Sequence, residues 1–145
     1  MSVKWKNTMR RNGTKERTMI DLKTATRQEV FDYVVTNLYE QGCKSLSKDG
    51  SCAYRGPEGA KCAAGWLIPD EEYNTSLEGS GWGALVKSLK VPKNHSELVI
   101  ALQEAHDLEP TEYWGDCFVR IAKEFGFNTE VLKGKDFTAK IKENG

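Results

Sequence analysis

Residues 49–73 read DGSCAYRGPEGAKCAAGWLIPDEEY, and this stretch is the least ordinary part of the chain. It combines turn residues, two cysteines, aromatic and aliphatic side chains and a run of acids within one short span. Connecting loops are usually polar and exposed, whereas this one holds enough apolar side chains to enter a hydrophobic core. The stretch therefore marks either the structural centre of an irregular fold or the working surface of the protein.

Turn signals divide this stretch into short pieces. The turn at 56–59 separates two runs, 52–55 and 60–62, that are predicted to pair as strands. The apolar run 63–68 predicts one buried helical turn or a short strand, and Pro69 then opens another short helix with acids near its positive end. We expect five of the side chains to be buried anchors: Tyr54, Cys62, Trp66, Leu67 and Ile68.

Three amphipathic helices are predicted outside this insert, at about residues 27–41, 95–108 and 111–125. Apolar residues recur in each of them at spacings of three and four, which is typical of a helix with one buried face. Thr26 and Glu29 form a capping box at the start of the first helix, in which each side chain satisfies a free backbone amide. Gly42 and Gly126 end the first and third helices.

The N-terminal segment predicts a β-hairpin. Residues 3–10 alternate loosely between apolar and polar, Asn12-Gly13 is the strongest short hairpin signal, and residues 14–22 form the returning strand. An isolated two-stranded hairpin is only marginally stable in water, so it must pack against the rest of the protein. The sequence thus predicts one α+β domain that is mostly helical, with a basic hairpin arm at 1–22, a helical core at 23–132 containing the irregular insert, and a loosely ordered tail at 133–145.

Size and composition bound the class of protein. The 145 residues are 39% hydrophobic and 29% charged, which suits one domain with a real core and argues against global disorder. No stretch approaches the roughly 20 apolar residues of a membrane span, and no secretory signal is visible. We therefore expect no membrane contact and a cytosolic protein whose four cysteines are thiols.

The balanced net charge hides an asymmetry. Residues 1–27 carry eight basic against two acidic side chains, a net charge of +6, whereas residues 28–116 carry seven basic against fifteen acidic, a net charge of −8. The two parts either attract each other within the fold, or the arm reaches for a phosphate, a nucleic acid or an acidic partner. The candidate contact residues of the arm are Lys4, Lys6, Arg10, Arg11, Lys15 and Arg17.

The cysteines permit three interpretations. Cys43, Cys52, Cys62 and Cys117 lack the close pairing of most zinc sites, but Cys52 and Cys62 flank the 56–59 turn and can approach each other. With His106, or with His95, they form a weak candidate zinc site. The other interpretations are a redox pair and, favoured over both, one in which Cys62 and Cys117 are buried small hydrophobes and the other two cysteines are incidental. We expect no cofactor.

His106-Asp107 on the second long helix suggests a base or a metal ligand. His106, however, shares the apolar face of that helix with Leu102, which favours a structural histidine. The Walker loop, the dinucleotide-binding glycine pattern and the nucleophile elbow are all missing from the sequence. Ordinary enzyme chemistry is therefore disfavoured.

A second candidate binding surface lies around the 56–59 turn. Tyr54, Arg55 and Lys61 flank it and could meet a phosphate or a base by stacking and charge; otherwise it is a plain surface turn with Tyr54 folded inward. Together with Trp66, Arg55 and Lys61 could also line a small-ligand or nucleotide pocket. Four acidic residues lie nearby in the sequence: Asp70, Glu71, Glu72 and Glu78. They could bind a divalent cation or a basic partner, or simply form a solvated helix start.

Residues 21–127 resemble a group of small, mostly uncharacterised proteins of tailed bacteriophages and prophages. The resemblance rests on ATRQEVFD at 25–32, on CAYRGPEGAKCAAGWLIPDEEY at 52–73, and on LQEAHD at 102–107 followed by Trp114. The chain departs from the group at Trp66, where a small residue or a cysteine is common, and this weakens any metal or disulfide scheme that uses that position. The resemblance implies a phage gene product in the cytoplasm of a host bacterium.

The leading functional prediction is a phage-encoded, non-enzymatic accessory protein that binds a host protein, as a host-takeover or anti-defence inhibitor. Its contact surface would be the basic arm or the turn between Tyr54 and Lys61. The alternatives are a protein that sequesters a small ligand or nucleotide, a metal-dependent enzyme and a minor virion component.

Overall fold

The computed structural model describes residues 7–9, 15–17, 19–48, 50, 52–88 and 92–137, with side chains omitted at 7–9, 15–17, 88 and 93. The described residues form four α-helices: α1 (Arg27–Gln41), α2 (Trp82–Ser88), α3 (Ser96–Leu108) and α4 (Trp114–Phe125). Short 3-10 turns occupy much of the chain between them. The three long helices confirm the sequence prediction: α1 agrees at both ends, while α3 and α4 begin one and three residues later than predicted and end where predicted.

The predicted helix ends are also confirmed. Thr26 Oγ1 accepts the Glu29 amide at 3.1 Å, and Glu29 Oε1 accepts the Thr26 amide at 2.8 Å. Gly42 and Gly126 follow α1 and α4 with φ of 73° and 76°, a left-handed conformation that glycine adopts without steric cost.

Helix α3 contacts each of the other three helices and lies at the centre of the core. The largest buried rings come from its neighbours. Phe31 of α1 meets Phe118 of α4 edge to face with ring centroids 6.5 Å apart, and Trp114 lies 6.4 Å from Phe118. Phe137, which the sequence placed in the tail, is buried against Tyr39 and Phe118. Residues 138–145 of the predicted tail lie outside the described residues.

The predicted α+β fold class is wrong, because the domain is helical. From Met19 to Phe137 the described residues form helices and turns without a strand, apart from a single bridge between Leu46 and Cys52. Before Met19 the structure describes only the backbone of β1 (Asn7–Met9) and β2 (Lys15–Arg17), two three-residue segments in antiparallel register. Every described side chain of the buried core cluster lies at Ile20 or beyond, so the described core contains no sheet.

The predicted hairpin does not span residues 1–22, and the reason is local. Its second strand was expected to run to residue 22, but the carbonyl of Asp21 accepts the amides of Thr24 and Ala25. This turn ends any extended conformation and leads directly into the cap of α1. Ile20 and Leu22 are buried as part of the entry into the helical core, where the sequence placed the end of a strand.

The insert is a series of single turns held against α1 and α3. The predicted pairing of 52–55 with 60–62 is wrong, because Cys52 pairs with Leu46 and the Ala53 amide donates to Ser45. Of the five predicted anchors, Trp66 is only partly buried. The other four are buried: Tyr54, Cys62, Leu67 and Ile68.

None of the helices in the described ranges has both the length and the apolar character that crossing a bilayer requires.

Candidate functional site

An open cleft of about 760 Å³ lies between the second half of α1 and residues 57–71. Its volume falls within the range of roughly 300–1,000 Å³ that is common for ligand sites. Met19 and Tyr33 lie on one side, and Pro57 and Trp66 lie on the other. The charged side chains that line it are Glu40, Glu58, Lys61, Asp70 and Glu71.

Two polar side chains fix the insert wall of the cleft to α1 and the chain after it. The Gln41 amide group donates to the Lys61 carbonyl at 2.9 Å and accepts the Lys61 amide at 2.8 Å. Ser45 Oγ donates to the Ala53 carbonyl at 2.7 Å and lies 3.3 Å from the Ala60 carbonyl. The insert backbone therefore has hydrogen-bond partners where no helix or sheet supplies them.

Among the described lining residues of the cleft, Lys61 is the one cationic side chain, and it lies next to the aromatic ring of Trp66. Lys61 Nζ lies 4.6 Å from the Trp66 ring centroid and 3.6 Å from Asp70 Oδ1. Burial and the nearby Arg55 charge lower the pKa of Lys61, against the opposite effect of Asp70. Lys61 and Arg55 in turn lower the pKa of Asp70. The charge of Lys61 is thus already partnered within the protein.

Arg55 holds the insert together from inside. Its guanidinium donates to the carbonyls of Gly65 at 2.8 Å and Ile68 at 2.7 Å, and to Asp70 Oδ1 at 3.0 Å. It also lies 4.8 Å from the centroid of the Tyr73 ring. The side chain is 17% exposed. Arg55 is therefore committed to backbone carbonyls and does not line the cleft.

Tyr54 is folded inward, which agrees with the interpretation of residues 56–59 as a plain surface turn. Its hydroxyl donates to the Ser80 carbonyl. The Glu78 carboxylate accepts the amides of Tyr54 and Arg55 and the hydroxyl of Tyr73 at 2.6 Å. Glu78, which the sequence grouped with a possible cation site, thus satisfies donors within the insert.

Only some of the predicted binding residues therefore line the cleft. Lys61 and Trp66 line the cleft, whereas Tyr54 and Arg55 lie behind its wall. The arm candidates Lys4, Lys6, Arg10 and Arg11 lie outside the described residues, and the side chains of Lys15 and Arg17 do so as well.

Sequence reasoning missed the acidic character of the cleft, which has four lining carboxylates against a single lysine. Asp70 and Glu71 were noted, but Glu40 comes from α1 and joins them only through tertiary packing. Glu58 has a φ of 58°, the only positive φ among the described non-glycine residues. Such a conformation costs about 1 kcal/mol or more and occurs here at the rim of the cleft.

A second group of chemically active side chains lies on the α3 side of the insert. Cys52, His106 and Asp107 each offer a ligand atom within 4.8 Å of the others. Cys62 hydrogen-bonds to Cys52, and Gln103 donates to both the Cys52 sulfur and Asp107. The structure thus brings together the three weak metal candidates of the sequence, Cys52, Cys62 and His106.

The hydrogen bonds of His106 show that these residues do not fit a metal. The Ser45 amide donates to His106 Nε2 at 3.1 Å, so Nε2 carries a lone pair and the proton lies on Nδ1, 2.9 Å from Asp107 Oδ1. A metal at Nε2 would have to displace the Ser45 amide, and a metal at Nδ1 would have to displace the proton shared with Asp107. Both ring nitrogens of His106 are already partnered by Ser45 and Asp107, which disfavours a role as general base for the Cys52 thiol.

His106 is a buried structural residue, stacked on Trp114 with ring centroids 5.4 Å apart. Burial alone would lower its pKa, but the hydrogen bonds to Asp107 and Cys52 raise it. A proton on Nε2 would nevertheless face the Ser45 amide proton. The hydrogen-bond geometry therefore holds the neutral ring.

Asp107→Asn is expected to flatten the acid limb of the stability curve. Burial alone raises the pKa of Asp107, but hydrogen bonds from His106, Cys52 and Gln103 outweigh it and lower that pKa. The ionised carboxylate therefore contributes stability above the unfolded-state pKa of about 4, and this contribution is lost as the pH falls through the lower folded-state pKa.

Urea unfolding between pH 2 and 7 measures this effect. The wild type should lose stability more steeply below about pH 4 than Asp107→Asn. Glu104→Gln, an exposed change on the same helix, should keep the wild-type slope. Equal slopes for the wild type and Asp107→Asn would contradict the assignment.

Comparison with protein-family models, with curated proteins and with solved structures found no match to this chain. The resemblance to phage proteins stays a prediction, and the function has to be inferred from the two sites.

Proposed function

We propose that this chain is a non-enzymatic binding protein that takes a basic segment of a partner protein into the cleft between α1 and residues 57–71. The observation that carries the proposal is the charge of that cleft. Four carboxylates line it, its one lysine is paired with Asp70, and Trp66 offers an aromatic surface among them.

These features suit lysine or arginine side chains. Carboxylates bind arginine through paired, charge-assisted hydrogen bonds, and an aromatic face attracts a cation by about 0.5–2 kcal/mol. Tryptophan is also enriched among the residues that dominate interface energy. An open cleft admits a segment of a folded protein.

The other predicted functions have weaker support. A nucleotide would bring negative phosphates to an acidic cleft whose lysine is already partnered, while Arg55 is committed to carbonyls behind the wall. A metal held by His106 would have to displace either the Ser45 amide from Nε2 or the proton that Nδ1 shares with Asp107. The acidic cleft therefore favours a cationic partner.

The resemblance to phage proteins supplies the rest of the proposal. It makes the partner a host protein in the bacterial cytoplasm and the action that of a host-takeover or anti-defence inhibitor. Cross-linking in bacteria that express the chain, followed by mass spectrometry, identifies a partner. A basic surface segment cross-linked at the cleft supports the proposal, whereas a partner held elsewhere argues against it.

Reversing two cleft charges tests the site directly. Glu58→Lys combined with Glu71→Lys should weaken binding of a labelled lysine- and arginine-rich peptide at least tenfold, a loss of about 1.4 kcal/mol, because both carboxylates line the cleft. Fluorescence anisotropy at several salt concentrations measures it, and the effect should shrink as salt rises.

The control separates the cleft from the overall charge of the protein. Glu104→Lys combined with Glu124→Lys makes the same change in net charge on exposed positions of α3 and α4 and should leave affinity within about twofold of the wild type. Equal losses in the two double variants would show that the peptide senses net charge alone. Preference for an acidic peptide over the basic one would reject the proposal.

A further inference from the structure

Two cysteines lie side by side at the base of the insert. The thiols of Cys52 and Cys62 hydrogen-bond to each other, although nine residues separate them in sequence. Cys52 is partly exposed, whereas Cys62 is 0% exposed. An oxidant in solution therefore reaches Cys52 first, because Cys62 is shielded from solvent.

Neighbouring groups hold both sulfurs in place. The Gln103 side chain donates to Cys52 Sγ, and its oxygen accepts the Ala64 amide at 3.0 Å. The Gly65 amide donates to Cys62 Sγ at 3.4 Å. One side chain of α3 thus ties the segment that follows Cys62 to the sulfur of Cys52, and the two thiols are kept in register.

We propose that Cys52 and Cys62 are a reversible disulfide site that closes the loop between them when the protein meets a disulfide oxidant. The loop contains residues 57–61, which form part of the cleft wall. The inference rests on the cysteine pair alone and holds whatever the cleft binds.

The chemistry is a pair of thiol–disulfide exchanges with glutathione disulfide. Cys52 loses its proton and attacks one glutathione sulfur, forming a mixed disulfide and releasing one glutathione. Cys62 then loses its proton and attacks Cys52 Sγ, which expels the second glutathione. Two protein thiols become one disulfide, and one glutathione disulfide becomes two glutathione thiols.

The environments of the two thiols set the relative rates of the two exchanges. The hydrogen bond from Cys52, with further help from the Gly65 amide, lowers the pKa of Cys62 against the effect of burial, which favours the attacking thiolate. The hydrogen bond to Cys62 and burial raise the pKa of Cys52. The first exchange is therefore the slow one.

The experiment uses the full chain carrying Cys43→Ser and Cys117→Ser, which leaves only the proposed pair. Incubation with glutathione disulfide should lower its intact mass by two hydrogens, without a glutathione adduct, and peptide mapping should link Cys52 to Cys62. Dithiothreitol should reverse the change. Adding Cys62→Ser should stop the reaction at one glutathione on Cys52. Stable glutathione adducts on the two-cysteine chain would overturn the proposal.

Two further measurements show whether the bond belongs to the folded protein. The melting temperature of the oxidised chain should rise by several degrees, because the cross-link restricts the unfolded chain. The rate of disulfide formation should be insensitive to urea below the unfolding transition. A lower melting temperature, or a rate that climbs steeply with urea, would mean that the bond forms only in unfolded molecules, and would reject the site.

Discussion

Gly65→Ala is expected to destabilise the protein by about 3 kcal/mol or to prevent folding. An ideal Cβ at Gly65 would lie 2.3 Å from the carbonyl oxygen of Tyr54, and 3.1 Å and 3.3 Å from its carbonyl carbon and Cα. These neighbours are backbone atoms, so no side-chain rotation can relieve the overlap. The Gly65 carbonyl also accepts the Arg55 guanidinium, so a shift of the backbone would disturb the insert.

Gly83→Ala is the matched control. Gly83 lies within α2 and has no atom within 4 Å of an added Cβ, so the change should stabilise the protein by about 0.5–1 kcal/mol through helix propensity. Urea unfolding followed by circular dichroism measures both variants. A Gly65→Ala protein within 1 kcal/mol of the wild type would show that Tyr54 and the insert can move apart.

Arg55→Ala is expected to cost about 2–4 kcal/mol of folding stability. The carbonyls of Gly65 and Ile68 lose their guanidinium donors inside the insert. The Gly65 carbonyl keeps the Ile68 amide, but the Ile68 carbonyl is left unsatisfied, and such a buried group costs about 1–3 kcal/mol. The contact with Asp70 contributes little, because that carboxylate is 81% exposed. Chemical denaturation measures the loss.

Arg55→Lys provides the partial rescue. A lysine keeps the charge but lacks the planar fork that reaches several acceptors at once, so its stability should lie between those of the wild type and Arg55→Ala. If Arg55→Ala were as stable as the wild type and lost only peptide binding, Arg55 would be a contact residue, as the sequence suggested. The two outcomes separate a structural role from a binding role.

Local signals were enough to predict the helices. The capping box of Thr26 and Glu29 and the glycines at 42 and 126 act within a few residues of themselves. The hairpin prediction was also local, but Asn12-Gly13 says nothing about the turn that Asp21 makes a few residues later. The α+β class depended on such short local strand and turn signals, whereas the helical class depends on several independent apolar faces.

The site was predictable only in part. Lys61 and Trp66 were named because their side chains suit binding, and they do line the cleft. The placement of Arg55 could not be read from sequence, because its partners are backbone carbonyls, which every residue has. Glu40 carried no signal either, since it reaches the cleft by the packing of α1 against a distant turn. The tautomer of His106 depends on one Ser45 amide.

The manner in which the insert is held has a consequence for its motions. Its backbone is bound largely through side chains such as Gln41, Arg55, Glu78 and Gln103, while the four helices complete most of their own hydrogen bonds. Segments of this kind tend to open as one cooperative unit at a lower free energy than the whole molecule. The cleft wall is therefore expected to have its own equilibrium between closed and open forms, and the apparent affinity of a partner that binds the closed form would be scaled by the closed fraction. Changes far from the cleft that loosen one of these side chains would weaken binding without touching the partner.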